Sequence, residues 1–186
     1  EADDATRVTV FRSADPDFFI AHFDVSEIVK WADADFSSED HPFSDARLQA
    51  VREGASRQQV RPGSAERLRT SSKVSIAEIA GRAGGGGNEF CSGCDMRFGL
   101  AGKTKLNQME VPLGIIPGGN GTVNLPRLMG RGRALEVILG GVDIDAETAE
   151  RWGYLNRIFP SKEALSAHVD ALARRIASFP TVAVAN

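Results

Sequence analysis

Cysteine is scarce in this chain of 186 residues: there are two, Cys91 and Cys94. That is too few for a disulfide-stapled secreted fold. One Cys-Ser-Gly-Cys pair cannot fill a four-coordinate zinc site, and no His-x3-His partner exists, so no metal site is expected. The three histidines, His22, His41 and His168, are scattered, with no Ser-His-Asp or Cys-His pattern. No apolar run approaches the roughly 18 residues of a membrane span, and no secretory pattern opens the chain. A reducing, cytoplasmic setting without membrane contact is the expectation. An excess of either charge is missing as well. With 22 Lys and Arg against 25 Asp and Glu, the net charge of -3 makes no electrostatic case for nucleic acid as a partner.

What is present is an ordinary apolar content of 42%, on a chain long enough for one domain with a real core. Residues 1–186 therefore read as a single domain. Arg7 to Phe11 alternates as a strand does, and Ser13 to Asp17 is a turn. Phe18 to Ala21 is a wholly apolar strand of the kind buried on both faces. Val25 to Trp31 and Ser44 to Gln59 read as helices, Asp33 to Pro42 as a loop, and Val74 to Ala80 as a strand. A short helix at Glu89 to Cys94 is followed by extended segments at Met96 to Phe98 and Thr104 to Asn107. Helices then follow at Gly119 to Leu128, Arg131 to Leu139 and Ala146 to Trp152. Leu155 to Phe159 is a last strand. Ser161 to Ser178 is an amphipathic helix with Ser161 at its start and Leu165, Val169, Leu172 and Ile176 along one face. Strands alternating with helices predict an α/β fold.

Two glycine-rich turns, each beside a glutamate, carry the chemical signal. Gly84-Gly85-Gly86-Gly87-Asn88-Glu89 follows a buried strand. Pro117-Gly118-Gly119-Asn120-Gly121-Thr122 follows Gln108-Met109-Glu110. A strand feeding a glycine turn into a helix presents free N–H groups and a positive dipole end. A phosphate-binding loop needs Lys-Ser or Lys-Thr where this chain has Asn88-Glu89, and a carboxylate there repels phosphate. A carbonyl oxygen that gains charge only in the transition state fits better. Glu89 and Glu110 then form an acid/base pair, one ionised to take a proton and the other protonated to give one. Cys91 and Cys94 read as small buried side chains. The basic residues Arg52, Arg57, Arg61, Arg67, Arg69 and Lys73 read as a solvated helix face, with a landing surface for a large anionic ligand as the alternative.

These segments resemble the signatures of the crotonase (enoyl-CoA hydratase/isomerase) superfamily. Ile76-Ala77-Glu78-Ile79-Ala80-Gly81, Gly85-Gly86-Gly87-Asn88-Glu89 and Cys94-Asp95-Met96-Arg97 match the first. Gln108 to Thr122 matches the second, and Leu125-Pro126-Arg127-Leu128 and Gly153 to Pro160 also match. The resemblance implies a spiral of ββα units with two roughly perpendicular sheets. It also implies a chain short at both ends, lacking an initial strand and helix and the C-terminal trimerisation helices. It further implies a homotrimer or hexamer acting on an acyl-CoA thioester. No cofactor is implied, because coenzyme A is part of the substrate.

By the same resemblance, Glu89 activates water and Glu110 protonates the α-carbon, giving syn hydration of a 2-enoyl-CoA. The amides of Phe23 and Gly86 match an oxyanion hole for the thioester carbonyl, and Gly118 is similar to a glycine that orients the reacting water. Ala21, Asp24 and Gly85 match substrate-binding positions. Ala21-His22-Phe23-Asp24 departs from the family's small Ala-Gly-Ala-Asp. Two alternatives stand beside the hydratase reading: another crotonase chemistry, isomerisation or acyl-CoA hydrolysis, and a non-catalytic acyl-CoA-binding or assembly member.

Overall fold

A computed structural model describes residues 5–20 and 64–184, all within one compact unit of the chain. The segments predicted at Val25–Trp31, Asp33–Pro42 and Ser44–Gln59 lie outside the described residues. The described strands are β1 (Val8–Arg12), β2 (Phe18–Ile20), β3 (Val74–Ile79), β4 (Arg82–Gly84), β5 (Met96–Leu100), β6 (Lys105–Asn107), β7 (Ile144–Asp145) and β8 (Arg157–Phe159). They form two four-stranded sheets, ordered β1-β3-β5-β8 and β2-β4-β6-β7. All pairs are parallel except β6 with β7.

The order of the strands explains the winding. β1 then β2, β3 then β4, and β5 then β6 each give one strand to the first sheet and the next to the second. Helices follow: α1 (Ser64–Arg69), α2 (Gly86–Gly93), α3 (Gly121–Met129), α4 (Arg131–Gly140), α5 (Ala146–Arg151), α6 (Lys162–Ala177) and α7 (Thr181–Val184). Each βα step thus advances both sheets by one strand, which is the ββα spiral expected.

β3 is the central strand. Ser75 through Ile79 are all buried, and its residues alternate between two cores, as period-2 geometry requires. Ile76 packs with Phe98, Leu165 and Val169 beneath α6, while Ala77 and Ile79 join the larger core with Ala83, Leu106, Leu125, Val137 and Tyr154. Glu78 shares the α6 face and is buried there. Its carboxylate accepts from the Arg12 Nε at 2.5 Å and from the Ser166 hydroxyl at 2.6 Å, which ties β1, β3 and α6 together.

The predicted long C-terminal helix is α6. Ser161 caps it by accepting from the Ala164 amide at 3.2 Å, and Leu165 and Val169 are fully buried. Several short elements differ from the sequence reading. β4, the 3-10 turn at Val111–Leu113 and β7 span only three, three and two residues, too few to show a period. Helix α2 begins at Gly86 rather than Glu89, because the glycines themselves supply its first turn. α3 begins at Gly121 rather than Gly119.

Candidate active site

Glu89 sits in the first turn of α2 and is only 5% exposed. Its Oε1 accepts from the amides of Gly119 and Gly121, each at 2.8 Å. Gly121 is the first residue of α3, so the carboxylate lies against that helix's positive end. Burial raises the Glu89 carboxyl above its ordinary value; the two amides pull it down and the nearby charge of Glu110 pushes it up further. The glycines are needed for approach as much as for turning. A Cβ on Gly119 would stand 2.6 Å from Glu89 Oε2, and one on Gly121 would stand 3.0 Å from Oε1.

The turn that supplies these amides is held from outside. Asn120, between the two donors, has φ 79°, a left-handed conformation that side-chain-bearing residues seldom adopt. Its Nδ2 donates to Glu66 Oε2 of α1 at 3.1 Å, and Glu66 takes two further hydrogen bonds from Arg69, at 2.6 and 2.9 Å.

Glu110 precedes the 3-10 turn and is 9% exposed. The Gln108 Nε2 donates to its Oε2 at 2.8 Å. Its Oε1 borders Gly85, where an added Cβ would lie 3.1 Å away. Gly85 caps α2 with φ 50°, four residues ahead of Glu89. Both carboxylates therefore meet at the N-terminal end of α2, although 21 positions separate them in sequence. The next residue, Gly86, is exposed and a Cβ there would meet nothing within 4 Å. As the first residue of α2, its N–H has no partner within the helix.

Among the predicted site residues, Glu89, Glu110, Gly85 and Gly86 thus converge. Gly118 is exposed beside Gly119, with open space around its Cβ position. Ala21, Phe23 and Asp24 lie outside the described residues. Cys91 and Cys94 are buried free thiols, as expected. Burial pushes Cys94 up to about 12 and Cys91 well above its ordinary value, so neither is a ready thiolate.

The sequence places Asn88, Gly119 and Gly121 in the glycine turns but gives them, like Gln108 and Tyr154, no role of their own. Gln108 stands two residues before Glu110, the period-2 spacing at which side chains share a face, and that was the available signal. Tyr154 lies in the Gly153 to Pro160 match, but nothing around it in sequence points to Asn88 or Glu110. Its hydroxyl donates to the Asn88 Oδ1 at 2.6 Å across 66 positions.

Comparison with known proteins gives one family for the whole chain. A family model described as enoyl-CoA hydratase/isomerase matches residues 1–186. A short-chain-enoyl-CoA hydratase of Clostridioides difficile is 43% identical over 114 residues, 61% of this chain and 72% of that protein. A crotonyl-CoA hydratase of Syntrophomonas wolfei is 41% identical over 112 residues, 60% of this chain and 42% of the other. Among solved structures, an enoyl-CoA hydratase from Bacillus anthracis aligns with TM-score 0.75 at 30% identity, covering 98% of this chain and 63% of that one. The match spans 35% of the length of one mycobacterial relative and 45% of a Rhizobium meliloti relative. On the family match, the two sheets and the paired glycine turns, this chain belongs to the enoyl-CoA hydratase/isomerase family.

Proposed function

We propose that this chain adds water to the double bond of a 2-enoyl-CoA thioester. The observation that carries the reading is the pair of buried carboxylates meeting at the start of α2, each with one oxygen fixed by N–H donors and the other turned to a glycine. Glu89, lifted by burial, is a stronger base when ionised and takes a proton from the attacking water as oxygen bonds to the β-carbon. Electrons move toward the thioester carbonyl, and in this reading the amides of Gly86, at the first turn of α2, and Phe23 serve its oxygen. Glu110 gives its proton to the α-carbon as the enolate collapses. The scheme needs no metal or redox group, and coenzyme A enters as part of the substrate.

The names of the relatives, hydratases of short-chain-enoyl- and crotonyl-CoA, support this substrate class. We read the assembly as a cytoplasmic homotrimer or hexamer, in which the exposed side chains of Ile116, Leu139 and Val142 are candidates for cover by further copies.

Loss of enoyl-thioester ultraviolet absorbance with crotonyl-CoA tests the reading. Glu89→Gln and Glu110→Gln should each lower kcat by roughly a hundred- to ten-thousandfold. Retention of hydration by either variant would remove that carboxylate from the mechanism. Conversion of a 3-enoyl-CoA to the conjugated thioester, read as a gain in that absorbance and surviving Glu89→Gln, would favour isomerase-type chemistry on one base.

A further inference from the structure

Behind Glu110 runs an unbroken chain of buried polar groups. The Tyr154 hydroxyl donates to Asn88 Oδ1 at 2.6 Å, Asn88 Nδ2 donates to Gln108 Oε1 at 2.8 Å, and Gln108 Nε2 donates to Glu110 Oε2 at 2.8 Å. Tyr154 and Gln108 are fully buried and Asn88 is 1% exposed, so water does not compete along the way. Tyr154 is itself fixed: Arg97 lies over its ring at 5.5 Å and donates through Nε to its carbonyl at 2.8 Å. A second Arg97 nitrogen donates to the Cys94 carbonyl.

A carboxamide presents a donor on one side and an acceptor on the other, so two in series have a direction. Reversed, the chain would turn Gln108 Oε1 toward Glu110, which could then bond only when protonated. The phenol, with one proton, would have to donate to the Asn88 carbonyl at 3.2 Å rather than to Oδ1 at 2.6 Å. Burial lifts the Tyr154 phenol well above its ordinary value, which keeps it a donor at any working pH.

We propose that Tyr154 and Asn88 are positioning residues for Glu110. Together they set the direction of the Gln108 carboxamide so that its N–H always faces Oε2 and leaves Oε1 turned to the substrate side. Glu110 loses its proton in each turnover, and a donor already in place receives the new charge without reorganisation. The effect on turnover rests on the hydratase reading, whereas the direction of the amides does not.

The test is therefore made in two ways, on 15N-labelled protein and on kinetics. The Gln108 side-chain N–H pair is assigned by its disappearance in Gln108→Glu. In Tyr154→Phe, its protection from solvent exchange should fall about tenfold while backbone amides of β3 keep theirs. With crotonyl-CoA, kcat should fall about ten- to a hundredfold with KM changed less than about threefold. Should Tyr154→Phe fail to fold, Asn88→Asp keeps the shape and offers Gln108 only acceptors. Its Gln108 pair should move away from Glu110, with a larger kcat loss. A Gln108 pair unchanged in whichever variant folds would overturn the proposal, as would equal losses of protection at Gln108 and throughout β3. A wild type without turnover would overturn the hydratase reading and leave the exchange measurement to decide the relay.

Discussion

At the scale of single residues, the cost of the site is concentrated on Glu89. A carboxylate that is 5% exposed gives up its water, and two amides return part of that loss. The folded state therefore binds the Glu89 proton more tightly than the unfolded chain does. Its contribution to stability is complete below the unfolded value, near 4.5, and is lost as pH rises through the higher folded value. Glutamine keeps the acceptor for Gly119 and Gly121 and carries no charge. Glu89→Gln should thus match the wild type at pH 4 and be the more stable of the two at pH 8, measured by urea unfolding. A variant less stable than wild type at pH 8 would show that the ionised carboxylate is a net stabiliser. One of the two carboxylates that sequence singles out for chemistry is then also one whose charge the fold would do better without.

At the scale of elements, two helix starts face one another: α2 brings Glu89, and α3 brings the amides that hold it. The junction depends on missing side chains. Gly119→Ala puts a methyl 2.6 Å from Glu89 Oε2, and a roughly hundredfold loss of activity should follow from displacing the base. Gly132, near the start of α4, is exposed and has nothing within 4 Å of its Cβ position. Gly132→Ala should leave activity unchanged and raise stability by about 0.5 kcal/mol through helix propensity. Thermal melts with crotonyl-CoA assays on the pair separate the two kinds of glycine, and equal effects would contradict the close-approach account. Sequence resolved the elements whose pattern repeats. β3 was expected from Val74 to Ala80 and runs to Ile79; α6 was expected from its cap and apolar face. β4 was missed because three residues ending in glycine show neither period nor propensity. The glycine turn reads as a site, but which of its amides reach Glu89 depends on where α3 begins, at Gly121 after the left-handed Asn120, and local sequence does not show that start.

At the scale of the whole molecule, the spiral brings distant segments to one place. Gly85 and Asn107 are joined by a backbone hydrogen bond of 2.9 Å because β4 and β6 are neighbours in the second sheet. That pairing sets Gln108 and Glu110 beside the α2 turn. Tyr154 arrives from a third pass of the chain, between α5 and β8, and its role has no local trace in the sequence for that reason. Glu89 and Glu110 were legible as a pair because each abuts a glycine turn; the polar chain behind them was not, because it exists only after three segments have packed.

The central claim is that Glu89 and Glu110 act on the same side of one double bond. Hydration of crotonyl-CoA in D2O, with the relative configuration of the new C–O and C–D bonds read from proton coupling constants, tests it directly. Syn addition is the predicted result. Anti addition, or a random mixture of configurations under initial-rate conditions, would contradict a pair of carboxylates working from one end of α2.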